Sequence, residues 1–148
     1  MTAYKGANVT KLDAGGSGDN YIANGYIKTV EKVWIDSYTF TATAIATNDT
    51  IAIASIAPGR LITGVEVFFP AITPTTCTIN VGTSADTDKF IDDFSLTASP
   101  TVARMNNTDG FLYATTGSSN TVIYLSIGIT AITAPTAGTI KTVVRYTN

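Results

Sequence analysis

The sequence predicts an all-β domain, an antiparallel β-sandwich or barrel of about eight strands. One observation is composition: the 148 residues include 27 threonines, and this β-branched residue favours extended backbone over helix. The other is spacing: short runs of alternating apolar and polar residues recur about every ten residues, separated by turn signals such as Pro58-Gly59. That spacing is typical of antiparallel sandwiches and barrels.

The two-residue period of each run predicts the strands and the side of each strand that faces the core. In residues 60–69, Val67 and Phe69 are expected to point to the core and Phe68 to the opposite side. Residues 95–106 are expected to hold at most a helical turn, since Pro100 opposes anything longer. The eight predicted strands are residues 27–40, 50–56, 60–69, 76–81, 89–94, 111–115, 121–129 and 139–147.

Residues 1–26 are predicted to form an extended arm ahead of a β-sandwich domain over residues 27–148. Residues 14–20 read AGGSGDN, a flexible linker composition. Spaced apolar residues nevertheless make the segment too hydrophobic for a plain disordered tail, so we expect it to dock on a neighbouring protein. The predicted contact residues of the arm are Tyr4, Val9, Leu12, Tyr21, Ile22 and Tyr26.

Charge and composition argue against several functions. The net charge is −2 with no clustered basic segment, so no nucleic-acid partner is expected. No apolar run is long enough to span a bilayer, so no membrane partner is expected.

The chain has no histidine, which removes the usual general base and zinc ligand. The lone Cys77 is interpreted as a small buried hydrophobe, and we expect no catalytic residues, no metal and no cofactor.

Residues 85–93 read ADTDKFIDD and concentrate four aspartates. Several carboxylates could bind Ca²⁺, but the glycine and terminal glutamate of an EF-hand loop are missing. A pair of carboxyls from this segment, or one of them with Glu66, could also serve a glycoside hydrolase. A solvated acidic loop is the interpretation that the composition favours.

The aromatic residues leave two alternatives open. Trp34, Tyr38 and Phe40 fall on one face of the first predicted strand. Exposed, they would form a platform for stacking on sugars; buried, they would be core. Phe68 at the end of its strand is predicted either to pack under a loop or to contact a partner.

Three segments resemble the capsid decoration proteins of tailed bacteriophages, also called cement proteins. They are WIDSY (34–38), IAIASIAPGRLITG (51–64) and TINVGTSADTDKFI (78–91). A closing strand at 141–146 fits the same pattern, and the resemblance covers residues 27–95 and 138–147.

The resemblance implies a jelly-roll-like β-sandwich on the outer capsid surface of a virion. Such proteins form homodimers or homotrimers, bind the phage major capsid protein and hold neighbouring subunits together. The family supplies no catalytic residues. A carbohydrate-binding receptor or fibre module of a phage is the alternative function.

Overall fold

The computed structural model describes residues 30–40, 46–71, 77–96, 99–106, 108–128 and 138–147. Within them, Glu31–Thr147 belong to one compact unit. The predicted arm lies outside the described residues, so its docking role stays a prediction. Its six contact residues fall there: Tyr4, Val9, Leu12, Tyr21, Ile22 and Tyr26.

The described residues form nine strands and one 3₁₀ turn, Thr108–Gly110, which confirms the all-β prediction. No helix among them is long and apolar enough to cross a membrane. The strands are β1 (Glu31–Phe40), β2 (Thr50–Ile56), β3 (Leu61–Phe69), β4 (Thr78–Gly82), β5 (Ile91–Ser95), β6 (Thr101–Arg104), β7 (Tyr113–Ala114), β8 (Thr121–Ile127) and β9 (Gly138–Thr147).

The strands form two antiparallel sheets. The first sheet has the order β1-β9-β3-β6, with the short β7 also paired to β3, and the second has the order β2-β8-β4-β5. The antiparallel pairs β1–β9, β2–β8, β3–β6 and β4–β5 form a two-stranded ribbon with β4–β5 at its tip. Folding that ribbon over itself sends successive pairs to opposite sheets, which is the topology of a jelly roll and confirms that prediction.

The core lies between the two sheets and follows the predicted alternation. In β9, Ile140, Thr142 and Val144 are buried while Lys141 is exposed. Cys77 is fully buried, as predicted, and burial raises the pKa of its thiol. The largest fully buried side chains are Phe90, Ile56, Ile62, Ile79, Ile91, Leu96, Ile123, Leu125, Ile127, Ile140 and Val65.

The main difference from the sequence prediction is β6, which lies where at most a helical turn was expected. Thr101–Arg104 pair with β3 at the edge of the first sheet. Pro100 comes just before the strand, a position that needs no ladder hydrogen bond from it. A run of four residues is too short to show a period of its own, so the pairing partner rather than local pattern determines this strand.

A second difference concerns residues 111–115, where only Tyr113–Ala114 form a strand. Phe111 and Leu112 lie in the preceding turn, with Leu112 at a φ of 58°. The Leu112 N–H donates a hydrogen bond to the Ile62 carbonyl at 2.9 Å. This bond holds a left-handed conformation that leucine seldom adopts.

Candidate interaction surface

The outer side of the first sheet, called the first face below, carries Phe68. Val67 and Phe69 on either side of it are buried, so Phe68 points outward and keeps 36% of its surface exposed. Its neighbours across the strands are Lys141 of β9 and Val102 of β6. Phe69 is therefore core, as predicted, whereas the predicted contact between Phe68 and a partner stays a prediction.

Strand β1 adds further apolar side chains to the first face. Val33 is 51% exposed and Ile35 is 74% exposed. Ile35 lies opposite the half-buried Val143 of β9. Together with Phe68 and Val102, these residues place apolar surface on all four main strands of the sheet. Exposed apolar surface of this kind marks candidate interaction sites.

An ion-pair network lies among these apolar residues. The Arg104 Nε donates to Glu66 Oε1 at 3.1 Å, and the Arg145 Nη2 donates to Glu66 Oε2 at 3.1 Å. The hydrogen bond from Arg104, helped by Arg145 and opposed by partial burial, lowers the pKa of Glu66. The carboxylate thus links β6 and β9 to β3 and leaves a polar group within an apolar surface.

The acidic segment forms the loop between β4 and β5. The Thr83 N–H donates to the Asp86 carbonyl at 2.7 Å, and Lys89 Nζ lies 3.4 Å from Asp86 Oδ2. The hydrogen bond between the Asp86 and Asp88 side chains lowers the pKa of Asp86 and raises that of Asp88. Lys89 partly neutralises the charge of Asp86.

This geometry bears on the calcium and hydrolase hypotheses. Among the described residues, no three carboxylate or thiol side chains come together to hold a metal ion. Asp92 and Asp93 are exposed on β5. Asp86 and Asp88 meet at a solvent-facing loop and line neither of the two clefts that border it. The loop therefore fits the solvated interpretation better than a site built on converging carboxyls.

The predicted aromatic platform lies on the inner side of the first sheet. Trp34 and Tyr38 lie opposite Val144 and Ile140, which are both buried. Trp34 is half-buried and packs against the core, and its Nε1 has no hydrogen-bond partner among the described residues. Tyr38 is 42% exposed near the sheet edge. The side chain of Phe40 lies outside the described residues, and Trp34 is only half-buried, so the sugar-stacking platform stays a prediction.

The outer side of the second sheet, the second face, carries a feature that the sequence analysis missed. Two adjoining clefts of about 380 and 320 Å³ share Thr83, Ser84 and Tyr124. This Tyr124 trough is also lined by Tyr113, Asn120 and several serines and threonines, with no charged side chain in its lining. The pairing of Gly82 with Tyr124 brings the loops together, so no local sequence signal could have located it.

Phe111 and Leu112 form a second exposed apolar group that sequence reasoning assigned to a strand. They are 57% and 43% exposed. The sequence pattern did not predict this turn because the left-handed backbone of Leu112 exists only in the folded chain.

Comparisons with known proteins establish the fold of this chain. No family model matches the sequence, and no match was found among curated proteins. A chain of the cyanophage Pam1 capsid asymmetric unit has a TM-score of 0.65 at 23% identity, over 80% of this chain and 85% of that chain. A chain of the capsid of Ralstonia phage GP4 has a TM-score of 0.63 at 14% identity, over 78% of this chain and 83% of that chain. At these identities the similarity shows a shared fold.

Proposed function

We propose that this chain is a structural virion protein that binds the outer surface of a phage capsid and links neighbouring major capsid subunits. The similarity to chains of two phage capsids supports the proposal. It extends over 85% and 83% of those chains, so it concerns nearly whole proteins of similar size and not one domain of a much larger protein. The proposal assigns no catalytic step to the chain.

The first face supplies the capsid contact in this proposal. Phe68 and Val102 stand on paired strands, so their positions are fixed before binding and little ordering entropy is lost. Lys141 next to Phe68 is exposed and can meet a carboxylate at the rim. Interfaces commonly combine a buried apolar anchor with a polar rim.

The arm, residues 1–26, supplies the link to the next capsid subunit. An extended segment can add a strand to an exposed sheet edge and satisfy its backbone groups. Once the domain is bound, the arm's contact becomes intramolecular, which raises the overall affinity by about 10² to 10⁴. Two modest contacts on different subunits would thereby hold those subunits together.

The experiment uses capsids of the phage that encodes this chain, produced without it. The intact chain is expected to co-sediment saturably with the capsids. A chain lacking residues 1–26 is expected to keep its circular dichroism spectrum and to bind about 10²-fold or more weakly. An intact folded chain that does not bind these capsids contradicts the proposed function. Equal binding by the two chains contradicts the role of the arm alone.

A second candidate function is carbohydrate binding, which the Tyr124 trough favours. Its volume is in the range of small-molecule sites, and its uncharged hydroxyl and amide groups with Tyr113 and Tyr124 suit a neutral sugar. Titration with neutral oligosaccharides, followed by NMR, tests it. Shifts confined to the trough and abolished by Tyr124→Ala support this function, and an absence of shifts at millimolar sugar rejects it.

A further inference from the structure

The longer edge strands among the described residues, β1, β2, β5 and β6, differ in how they are protected from pairing with another chain. Exposed edges are usually blunted by shortness, bulges or charges. β6 has only four residues. The pairing of β2 shifts register between Ala52 and Ala54, and the pairing of β5 with β4 shifts between Ile79 and Val81. β1 pairs with β9 over ten residues without any shift.

The side of β1 away from β9 is therefore a long, regular edge, unpaired within the described residues. It also exposes Val33 and Ile35, at 51% and 74%. A long edge with exposed apolar side chains is a site of strand addition. The order of charges along β1 indicates which chain would add there.

We propose that two copies of this chain pair through β1, antiparallel, with Trp34 of each copy at the two-fold axis. In that register Lys32 lies opposite Asp36 of the second copy, and Asp36 lies opposite its Lys32. Both side chains are exposed. The Asp36 carboxylate is oriented by accepting a hydrogen bond from the Ser37 N–H at 2.7 Å. The symmetry thus gives two equivalent ion pairs.

The neighbouring registers lack this complementarity. A two-fold antiparallel pair can shift only in steps that keep facing residues on the same side of the sheet. One step either way leaves Lys32 opposite Trp34 or Tyr38, without an ion pair. Two steps place Lys32 opposite Lys32, or Asp36 opposite Asp36, and like charges directly opposite are destabilising.

The same register also groups the apolar side chains. Val33 of each copy lies opposite Ile35 of the other, so four exposed aliphatic side chains meet on the first face and lose contact with water. The two first sheets would join into one continuous sheet. A two-fold axis makes the interface self-complementary, which is the commonest arrangement in homo-oligomers.

Sedimentation equilibrium of the full chain with charge-swapped variants tests the pairing. Lys32→Asp and Asp36→Lys each create two like-charge pairs and are expected to weaken the dimer by about tenfold or more. The double variant, and an equimolar mixture of the two single variants, restore opposite charges. Both are expected to return to within about threefold of the original affinity.

Asp92→Lys is the matched control, since Asp92 is an exposed aspartate on the β5 edge; it should leave the dimer unchanged. Trp34 is the only tryptophan, so its fluorescence should change on dilution at the same concentrations as the mass. A chain that stays monomeric at millimolar concentration overturns the proposal, as does a dimer that neither single swap weakens or a double variant that stays dissociated. These readouts use free protein, so capsid attachment can fail while this pairing holds, and the reverse.

Discussion

The two outer faces of the sandwich offer a partner different chemistry. The first face combines exposed aliphatic and aromatic side chains with one three-membered ion-pair network, Glu66 with Arg104 and Arg145. The second face presents hydroxyl, amide and tyrosine groups around the Tyr124 trough. Both faces are nevertheless built from antiparallel strands.

The difference indicates how one jelly roll can separate two tasks. Burying the first face releases water from apolar surface, which favours a large protein partner. Burying the second face would require every hydroxyl to find a new hydrogen bond, because unsatisfied polar groups are costly when buried. We therefore assign protein contacts to the first face and expect the second face to stay hydrated or to bind small polar molecules.

The largest effect is expected on stability from Gly82→Ala, a substitution at the end of β4 in the second sheet. A Cβ at Gly82 would lie far inside van der Waals contact with the Asp86 carbonyl oxygen and the Thr87 backbone. Backbone cannot move away as a flexible side chain could, so we expect a loss of about 3 kcal/mol or more in the free energy of unfolding. Urea denaturation measures it.

Gly59→Ala is the control for that substitution. Gly59 has a φ of 76°, but no atom lies within 4 Å of the point that an alanine Cβ would occupy there. Only backbone strain of about 1–2 kcal/mol is therefore expected. Equal losses for the two variants would show that the close approach at Gly82 is unimportant.

The next largest effect is expected on capsid binding, where the two faces can be compared directly. Phe68→Asp places a charge at the centre of the proposed contact and should weaken binding to capsids by about 10- to 100-fold. Thr50→Asp places the same charge on the second face, where Thr50 is exposed opposite Ser126, and should change binding less than about threefold. Co-sedimentation measures both. Similar losses would remove the distinction between the faces.

A smaller effect is expected on stability from Glu66→Gln. The substitution leaves two arginines without their shared carboxylate, whose side chain is only 19% exposed. Because Arg104 is largely exposed, solvent screens part of the interaction, and we expect a loss of about 1 kcal/mol. Asp92→Asn, at an exposed position, should stay within about 0.5 kcal/mol. Chemical denaturation of both variants at pH 7 distinguishes them.

The smallest effect is the pH dependence of the Glu66 network. The arginines lower the pKa of Glu66 in the folded state, so the unfolded chain takes up a proton first as the pH falls. The stabilisation is present above the unfolded pKa and is lost as the pH falls through the folded pKa. The stability difference between the original chain and Glu66→Gln should therefore shrink between about pH 6 and pH 3. A constant difference over this range would contradict the proposed cause.

Sequence periodicity predicted the strands whose alternation is long enough to read. Residues 50–56 match β2 at both ends, and residues 60–69 and 139–147 match β3 and β9 to within one residue. The predicted separation of Phe68 from Phe69 is present for the same reason: each strand has one buried side and one exposed side.

Features that depend on pairing could not be predicted in this way. β6 is recognisable only by its pairing with β3. β5 begins at Ile91, two residues later than predicted, and its pairing with β4 contains a register shift. The ion-pair network and the Tyr124 trough both join residues far apart in sequence. The order of Lys32 and Asp36 on β1 is visible in the sequence. It predicts pairing with a second copy only once β1 is known to be an edge strand.

The pairing of β1 with β9 also has a consequence for how the domain folds. The two strands are about 100 residues apart in sequence, and pairing so distant in the chain is slow because a long loop must close first. During synthesis, β1 is made well before Gly138–Thr147, so both of its edges lack a pairing strand in the meantime. A nascent chain would thus expose its dimer-forming strand before the proper intramolecular partner exists. Slow translation of the last residues would prolong this interval and should increase co-translational aggregation.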